Sequence, residues 1–192
     1  REKRVHPQLD DKVLTDWNGL MISAFARSAG GLNDYSYLQT AKKAADFCLV
    51  NLRSPDGKLL KCWRGGKAGL PAHLEDYAFF IQGLIDLYEA SLDSKYLKHA
   101  DELTKLAIEL FEDDNEGGFF LTAKDGEKLL IRPKEIYDGA IPSGNSVMAL
   151  NLARLFKITS NSEYEKKLFR LFSAFAGFIE QNPKGAEVLL HA

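Results

Sequence analysis

Apolar residues recur with helical spacing in six segments of this chain, and the segments alternate between two kinds. From Asp34 to Leu52, the residues Leu38, Ala41, Ala45, Cys48 and Leu52 form one stripe, while Lys42, Lys43 and Asp46 face elsewhere. Ser94 to Glu112 repeats this with Leu97, Ala100, Leu103, Ala107 and Leu110, and Ser162 to Gln181 with Tyr164, Leu168, Leu171, Phe175 and Phe178. Helices with one such stripe keep the opposite side in water. Trp17 to Ala29, His73 to Ser91 and Ser143 to Ile158 are instead apolar around most of their circumference, which predicts burial on more than one side.

Short turns join the members of each pair: Gly30-Gly31-Leu32-Asn33, Leu92-Asp93 and Thr159-Ser160-Asn161. The connections between pairs, Arg53 to Ala72 and Asp113 to Pro142, are long and strand-prone. In the second, Gly118 to Thr122 and Lys128 to Arg132 flank an Asp125-Gly126 turn, a hairpin signal. The first is a weaker echo, with Asp56-Gly57 ahead of Leu59 to Arg64. A helical hairpin plus a decorated loop thus repeats about every 60 to 70 residues, the mark of a stacked array. The predicted fold is all-α: a partial (α/α) toroid of three helical hairpins with short β-hairpin insertions in the long loops. Residues 1–192 form a single domain in this reading, a fragment of an (α/α)6 toroid whose other pairs belong to a longer parent chain.

The 192 residues are 45% hydrophobic and 27% charged, with a net charge of −2, so disorder is excluded. Arg1 to Arg4 is the densest basic run, too small a footprint for nucleic acid or an anionic membrane. No apolar run is long enough to span a bilayer. Cys48 and Cys62 form no C-x-x-C pair and there is no Asn-x-Ser/Thr site, which points to a cytoplasmic protein.

Antiparallel pairing places the N-termini of the three all-round-apolar helices at one end of the arc, where the long loops also arrive. Those first turns carry Asp16-Trp17-Asn18, His73-Leu74-Glu75-Asp76-Tyr77 and Ser143-Gly144-Asn145, with Asp138 just upstream. Singly, such residues cap helices. Together with Trp63, Phe119, Phe120 and Tyr137, they have the make-up of a pocket for a hydroxyl-rich ligand. Glu75 and Asp76 diverge by about 100° on a helix, so a hydrolase would need one of them with Asp138 or Asp16. Proton abstraction beside a sugar carbonyl would use His73. Arg64 and Arg132 end the strand-like runs and either clamp a ligand or pair with Asp76 or Asp138. No phosphate-cradling glycine motif, zinc-ligand set, nucleophile elbow or D-D-x-x-D metal motif is present, so neither cofactor nor metal is expected.

The stretches Asp10 to Ala26, Leu74 to Ala90, Glu116 to Thr122 and Asp138 to Leu155 resemble the YyaL-type family, "highly conserved proteins containing a thioredoxin domain", the group that includes spermatogenesis-associated protein 20. The resemblance implies a parent with a thioredoxin-like domain followed by a six-hairpin toroid, similar to N-acylglucosamine 2-epimerases and six-hairpin glycosidases. The family motifs fall on Asp10, Asp11, Trp17, Asn18, Gly19, Asp76, Tyr77, Asp138, Gly139, Pro142, Ser143, Gly144 and Asn145, with Glu75 where the family often has Asp. Two functions follow as expectations. One is a carbohydrate-directed domain, epimerase-like or glycosidase-like. It would have Asp76, Asp138, His73 and Glu75 as proton-transfer candidates, and Trp17, Asn18, Trp63, Arg64, Tyr77, Arg132, Tyr137, Ser143 and Asn145 as binders. The other is a non-catalytic module that docks partners or presents clients to the thioredoxin-like domain.

Overall fold

The computed structural model describes residues 3–127 and 129–192. Six helices form three antiparallel pairs: α1 (Thr15–Gly31) with α2 (Tyr35–Asn51), α3 (Leu74–Ser91) with α4 (Ser94–Phe111), and α5 (Gly144–Thr159) with α6 (Ser162–Gln181). Local chemistry sets their ends. Asp34, Asp93 and Asn161 each cap a one-striped helix by accepting the N–H two residues on, at 2.8, 3.1 and 3.1 Å. Leu92 and Ser160 close α3 and α5 in left-handed conformation, so each turn is only a few residues long.

Helix α3 is the centre of the arc, packed against α1 on one side and α5 on the other, while α4 covers it from outside. Its apolar circumference is accordingly buried nearly all round. Helices α1 and α3 cross with their backbones in contact. A Cβ on Gly19 would lie 2.5 Å from the Phe79 carbonyl carbon, and one on Gly83 would lie 2.6 Å from the Gly19 oxygen. Far from the helix N-termini, Asp86 of α3 accepts from Ser23 of α1 and from Arg154 of α5 at 2.6 Å, joining the three inner helices through a part-buried ion pair. The inner helix α1 departs from the expectation of burial all round. Trp17 and Met21 are about half exposed, because α1 is packed mainly against α2 and α3 and no described element lies over these two side chains.

The two long connections also differ from the sequence reading. The weaker hairpin signal is the real sheet: β1 (Val13–Leu14), β2 (Leu60–Arg64) and β3 (Lys67–Pro71) pair antiparallel in that order. Its tight turn is Gly65-Gly66, both at positive φ, with Arg64 opposite Lys67. Asp56-Gly57 instead makes the turn before β2, where the Gly57 N–H donates to the Ser54 oxygen.

The stronger signal forms no ladder among the described residues, and Lys128 lies outside them. Asp125-Gly126 does turn, through the Gly126 N–H to the Ala123 oxygen. The run before it pairs elsewhere: the Phe120 N–H donates to Phe111, the Leu121 N–H to Pro133, and the Arg132 side chain takes the Thr122 carbonyl. A nearby framework of backbone and side-chain donors outbids the local hairpin.

Candidate functional site

At the N-terminal end of the inner helices lies a hollow of about 140 Å³. Asp16, Trp17 and Leu20 come to it from α1, Glu75 and Phe79 from α3, and Ser143 from the cap of α5. Glu135, Tyr137, Ile141 and Pro142 of the second connection close it. Each helix presents its first turn because a cap or an extended residue ends the loop there. Ser143 does so for α5 by accepting the Ser146 N–H at 3.1 Å. Three carboxylates and three aromatic side chains thus share one concavity, with Phe79 buried and Trp17 55% and Tyr137 64% exposed.

The carboxylates expected at the site differ in kind. Asp76 is sealed, with no exposed surface. Its Oδ2 accepts from the His73 N–H at 2.8 Å and the Lys61 ammonium at 3.4 Å, and its Oδ1 from the Asp16 N–H at 3.2 Å. Burial outweighs these donors and pushes its carboxyl up to about 6. Glu75 points into the hollow instead, and neither hydrogen bond nor ion pair to the described residues engages it. Burial, then the neighbouring Glu135, raises its carboxyl above the ordinary range. Asp138 lies behind the wall. It accepts from the Ser143 N–H at 2.8 Å, the Ser146 hydroxyl at 3.1 Å and the Val188 N–H at 2.9 Å, and so pins the C-terminal residues to the start of α5.

Several other residues expected at the site stand away from the hollow. Asn18 donates to the Leu14 oxygen. Trp63 packs edge-on against Phe47, with ring centroids 5.8 Å apart. Arg64 pairs with Asp11, and Arg132 lies over the Phe120 ring at 4.2 Å, so neither meets Asp76 or Asp138. Tyr77 is buried with its hydroxyl accepting the Leu59 N–H, and Asn145 is buried holding both the N–H and the oxygen of Phe119 and the oxygen of Glu135.

His73 lines a second hollow of about 250 Å³ on the other side of the first turn of α3. Burial first, and then Lys61, holds its imidazole below the usual value, in the neutral form that accepts a proton. Two residues missed by the sequence reading matter here. Lys61 sits within β2, 3.9 Å from Asp16 as well as 3.4 Å from Asp76, and nothing in its strand-like run singles it out. Glu135 lies in a loop without periodicity, where no sequence signal marks it. Among the described residues, no group of three or more His, Cys, Asp or Glu is arranged to hold a metal ion, and no helix is long and apolar enough to cross a membrane.

Over 202 aligned residues and its whole length, the chain is 36% identical to a human protein. It is a homologue of spermatogenesis-associated protein 20. The mouse protein of that name is 36% identical over 95% of the chain, and an uncharacterized protein of Caenorhabditis elegans is 34% identical over 90%. The chain spans about a quarter of the length of these relatives. No protein-family model matches it.

Among solved structures, a GH76 α-mannanase of Bacteroides thetaiotaomicron superposes with a TM-score of 0.68 at 18% identity, over 88% of this chain and 46% of that one. A cellobiose 2-epimerase of Spirochaeta thermophila gives 0.69 at 18%, over 85% and 43%. A D-mannose isomerase gives 0.67 at 19%, over 85% and 40%. The fold is therefore that of the six-hairpin glycosidases and sugar epimerases.

Proposed function

We propose that the hollow between α1, α3 and α5 binds a sugar and that the chain is part of a carbohydrate-directed enzyme, epimerase-like or glycosidase-like. The observation that carries this is the convergence of the Asp16, Glu75 and Glu135 carboxylates with the Trp17 and Tyr137 rings in one concavity. Carboxylates accept from sugar hydroxyls, and aromatic faces cover the apolar faces of the ring. Glu75, without a partner among the described residues and raised by burial, is the proton-transfer group in this reading. Asp16, 3.9 Å from the Lys61 ammonium, supplies the partner carboxyl group. Asp76 and Asp138 act as positioning residues, since their oxygens are occupied by the donors that shape the wall. His73 offers a base on the neighbouring side.

The chain is in this view a single domain of three hairpins from an (α/α)6 toroid. Coverage of 88% of this chain but less than half of the mannanase supports that division. The length of the relatives leaves room for the thioredoxin-like domain that the family resemblance implies. Free Cys48 and Cys62 suit a reducing compartment such as the cytoplasm.

A monosaccharide and oligosaccharide binding screen on the full-length protein tests the reading. Binding that Trp17→Ala weakens at least tenfold and that Glu75→Gln alters supports it. Absence of any sugar binding, with partner capture retained, favours the docking module.

A further inference from the structure

The three helical hairpins repeat closely enough that an exposed face of the first can be read from its counterparts in the other two. Aligned on the caps Asp34, Asp93 and Asn161, Met21, Ala24 and Ser28 of α1 fall at the places of Phe80, Gly83 and Leu87 of α3 and of Met148, Asn151 and Leu155 of α5. The counterparts are all buried, whereas Met21 is 50% exposed, Ala24 is exposed and Ser28 is half-buried. What seals the counterparts is the inner helix of the preceding pair. At the place of Ala24, a Cβ on Gly83 would lie 2.6 Å from the Gly19 oxygen of α1, and the Asn151 side chain donates to the Ala78 oxygen of α3 at 2.8 Å. Gly19 and Ala78 themselves correspond in the alignment, so both junctions use one register. The outer helices repeat a second contact. Tyr37, Tyr96 and Tyr164 stand at one place after the three caps. The Tyr96 hydroxyl donates to Asp46 of α2 at 3.2 Å and the Tyr164 hydroxyl to Asp101 of α4, and both residues are sealed. Tyr37 is only half-buried, with its ring 5.7 Å from that of Phe25, and its hydroxyl makes no hydrogen bond to the described residues.

We propose that Met21, Ala24, Ser28 and Tyr37 form the seat of a further helical hairpin, one that precedes α1 in the longer parent chain and packs in the register of the two internal junctions. Its inner helix brings a backbone carbonyl to Ala24, and its outer helix carries an Asp or Glu that accepts from the Tyr37 hydroxyl. Stacked repeats bury each face on the adjoining unit, and the chain spans about a quarter of its human relative, which leaves ample length for such a unit. The seat does not suit the other edge of a second copy. In α6 the places of Asp101 and Asp46 are held by Phe169 and Ser173, so a copy docked head to tail offers no carboxylate to Tyr37. The inference rests on the division of the toroid proposed above and is independent of the sugar reading.

The full-length protein is treated with tetranitromethane and its tyrosines are followed by peptide mass spectrometry. Tyr37 reacts as slowly as the sealed Tyr96 and Tyr164, and gains at least about tenfold in rate when the protein is unfolded in urea, as a buried ring does. Photo-methionine incorporated at Met21 then identifies the cover. Cross-links run to a segment upstream of α1 in the same chain, whereas cross-links to a second copy or to the thioredoxin-like domain overturn the proposal. Ala24→Phe, which intrudes on the close approach, lowers the melting temperature by about 5 °C or more, and Tyr37→Phe lowers it by about 2–4 °C, as much as Tyr96→Phe. A protected Tyr37 with both substitutions silent overturns this seat and leaves the division of the toroid standing. A freely reactive Tyr37 overturns both, and neither outcome touches the sugar site.

Discussion

The two long connections occupy equivalent places in the repeat and are held by different physics. Arg53 to Ala72 is organised by its own backbone: β2 and β3 pair from Leu60 opposite Pro71 to Arg64 opposite Lys67, and β1 extends the sheet. Asp113 to Pro142 has no ladder among its described residues and is pinned by individual side chains, its own and that of Asn145. Asn145 grips Phe119 and Glu135, Lys134 reaches Asp113 at 2.8 Å, and Asp138 ties the loop to Ser143 and Val188. A ladder spreads its stability over many weak, replaceable bonds. A pinned loop concentrates it in a few residues whose removal orphans buried groups.

That contrast sets an order of effects. Asn145→Leu should be the most damaging change, because it leaves the buried N–H and carbonyl of Phe119 unpaired. A loss of about 3–5 kcal/mol in urea denaturation is expected, and a loss under 1 kcal/mol would erase the distinction.

The sealed Asp76 sharpens the comparison from the ladder side, since β2 carries Lys61 to it. Its folded-state carboxyl lies near 6, against an ordinary value of 3.8. The native state therefore holds this proton after the unfolded chain has released it, and stability falls as pH rises from about 4 to about 6. The fall amounts to on the order of 2–3 kcal/mol. Asp76→Asn should flatten that interval in denaturation curves taken from pH 4 to 7. A slope that survives the substitution refutes the assignment.

Asp138→Asn should lower stability by about 1.5–3 kcal/mol, since charge-assisted bonds to two backbone N–H groups are weakened. It should also speed proteolysis around residues 183–191, and unchanged cleavage would argue against the tie to Val188. The smallest effect belongs to the ladder. Gly66→Ala, at φ +81 in the tight turn, should cost about 1 kcal/mol. A cost larger than that of Asp138→Asn would reverse the comparison.

Helix positions and pairing were legible from periodicity and caps, and so was the gathering of three first turns at one end. The residues that face the hollow were legible only in part. Trp17, Glu75, Tyr137 and Ser143 line it, whereas Tyr77 and Asn145 are buried behind it and Trp63, Arg64 and Arg132 turn elsewhere. First-turn residues advertise themselves by position, but at neighbouring positions about 100° apart one side chain faces the hollow and the next the core. Glu75 and Asp76 are that case.

The amino-acid order by itself determined the six helices, their alternation of one-striped and all-round-apolar kinds, and the caps that stop them, because these depend on contacts within a few residues. Only the tertiary structure decided which connection became a sheet, that Gly19 and Gly83 let α1 and α3 touch, and that Lys61 and Glu135 belong beside Asp16 and Glu75. Those outcomes hang on pairings between residues far apart in the chain or on competition among several partners. Neither leaves a local pattern to read.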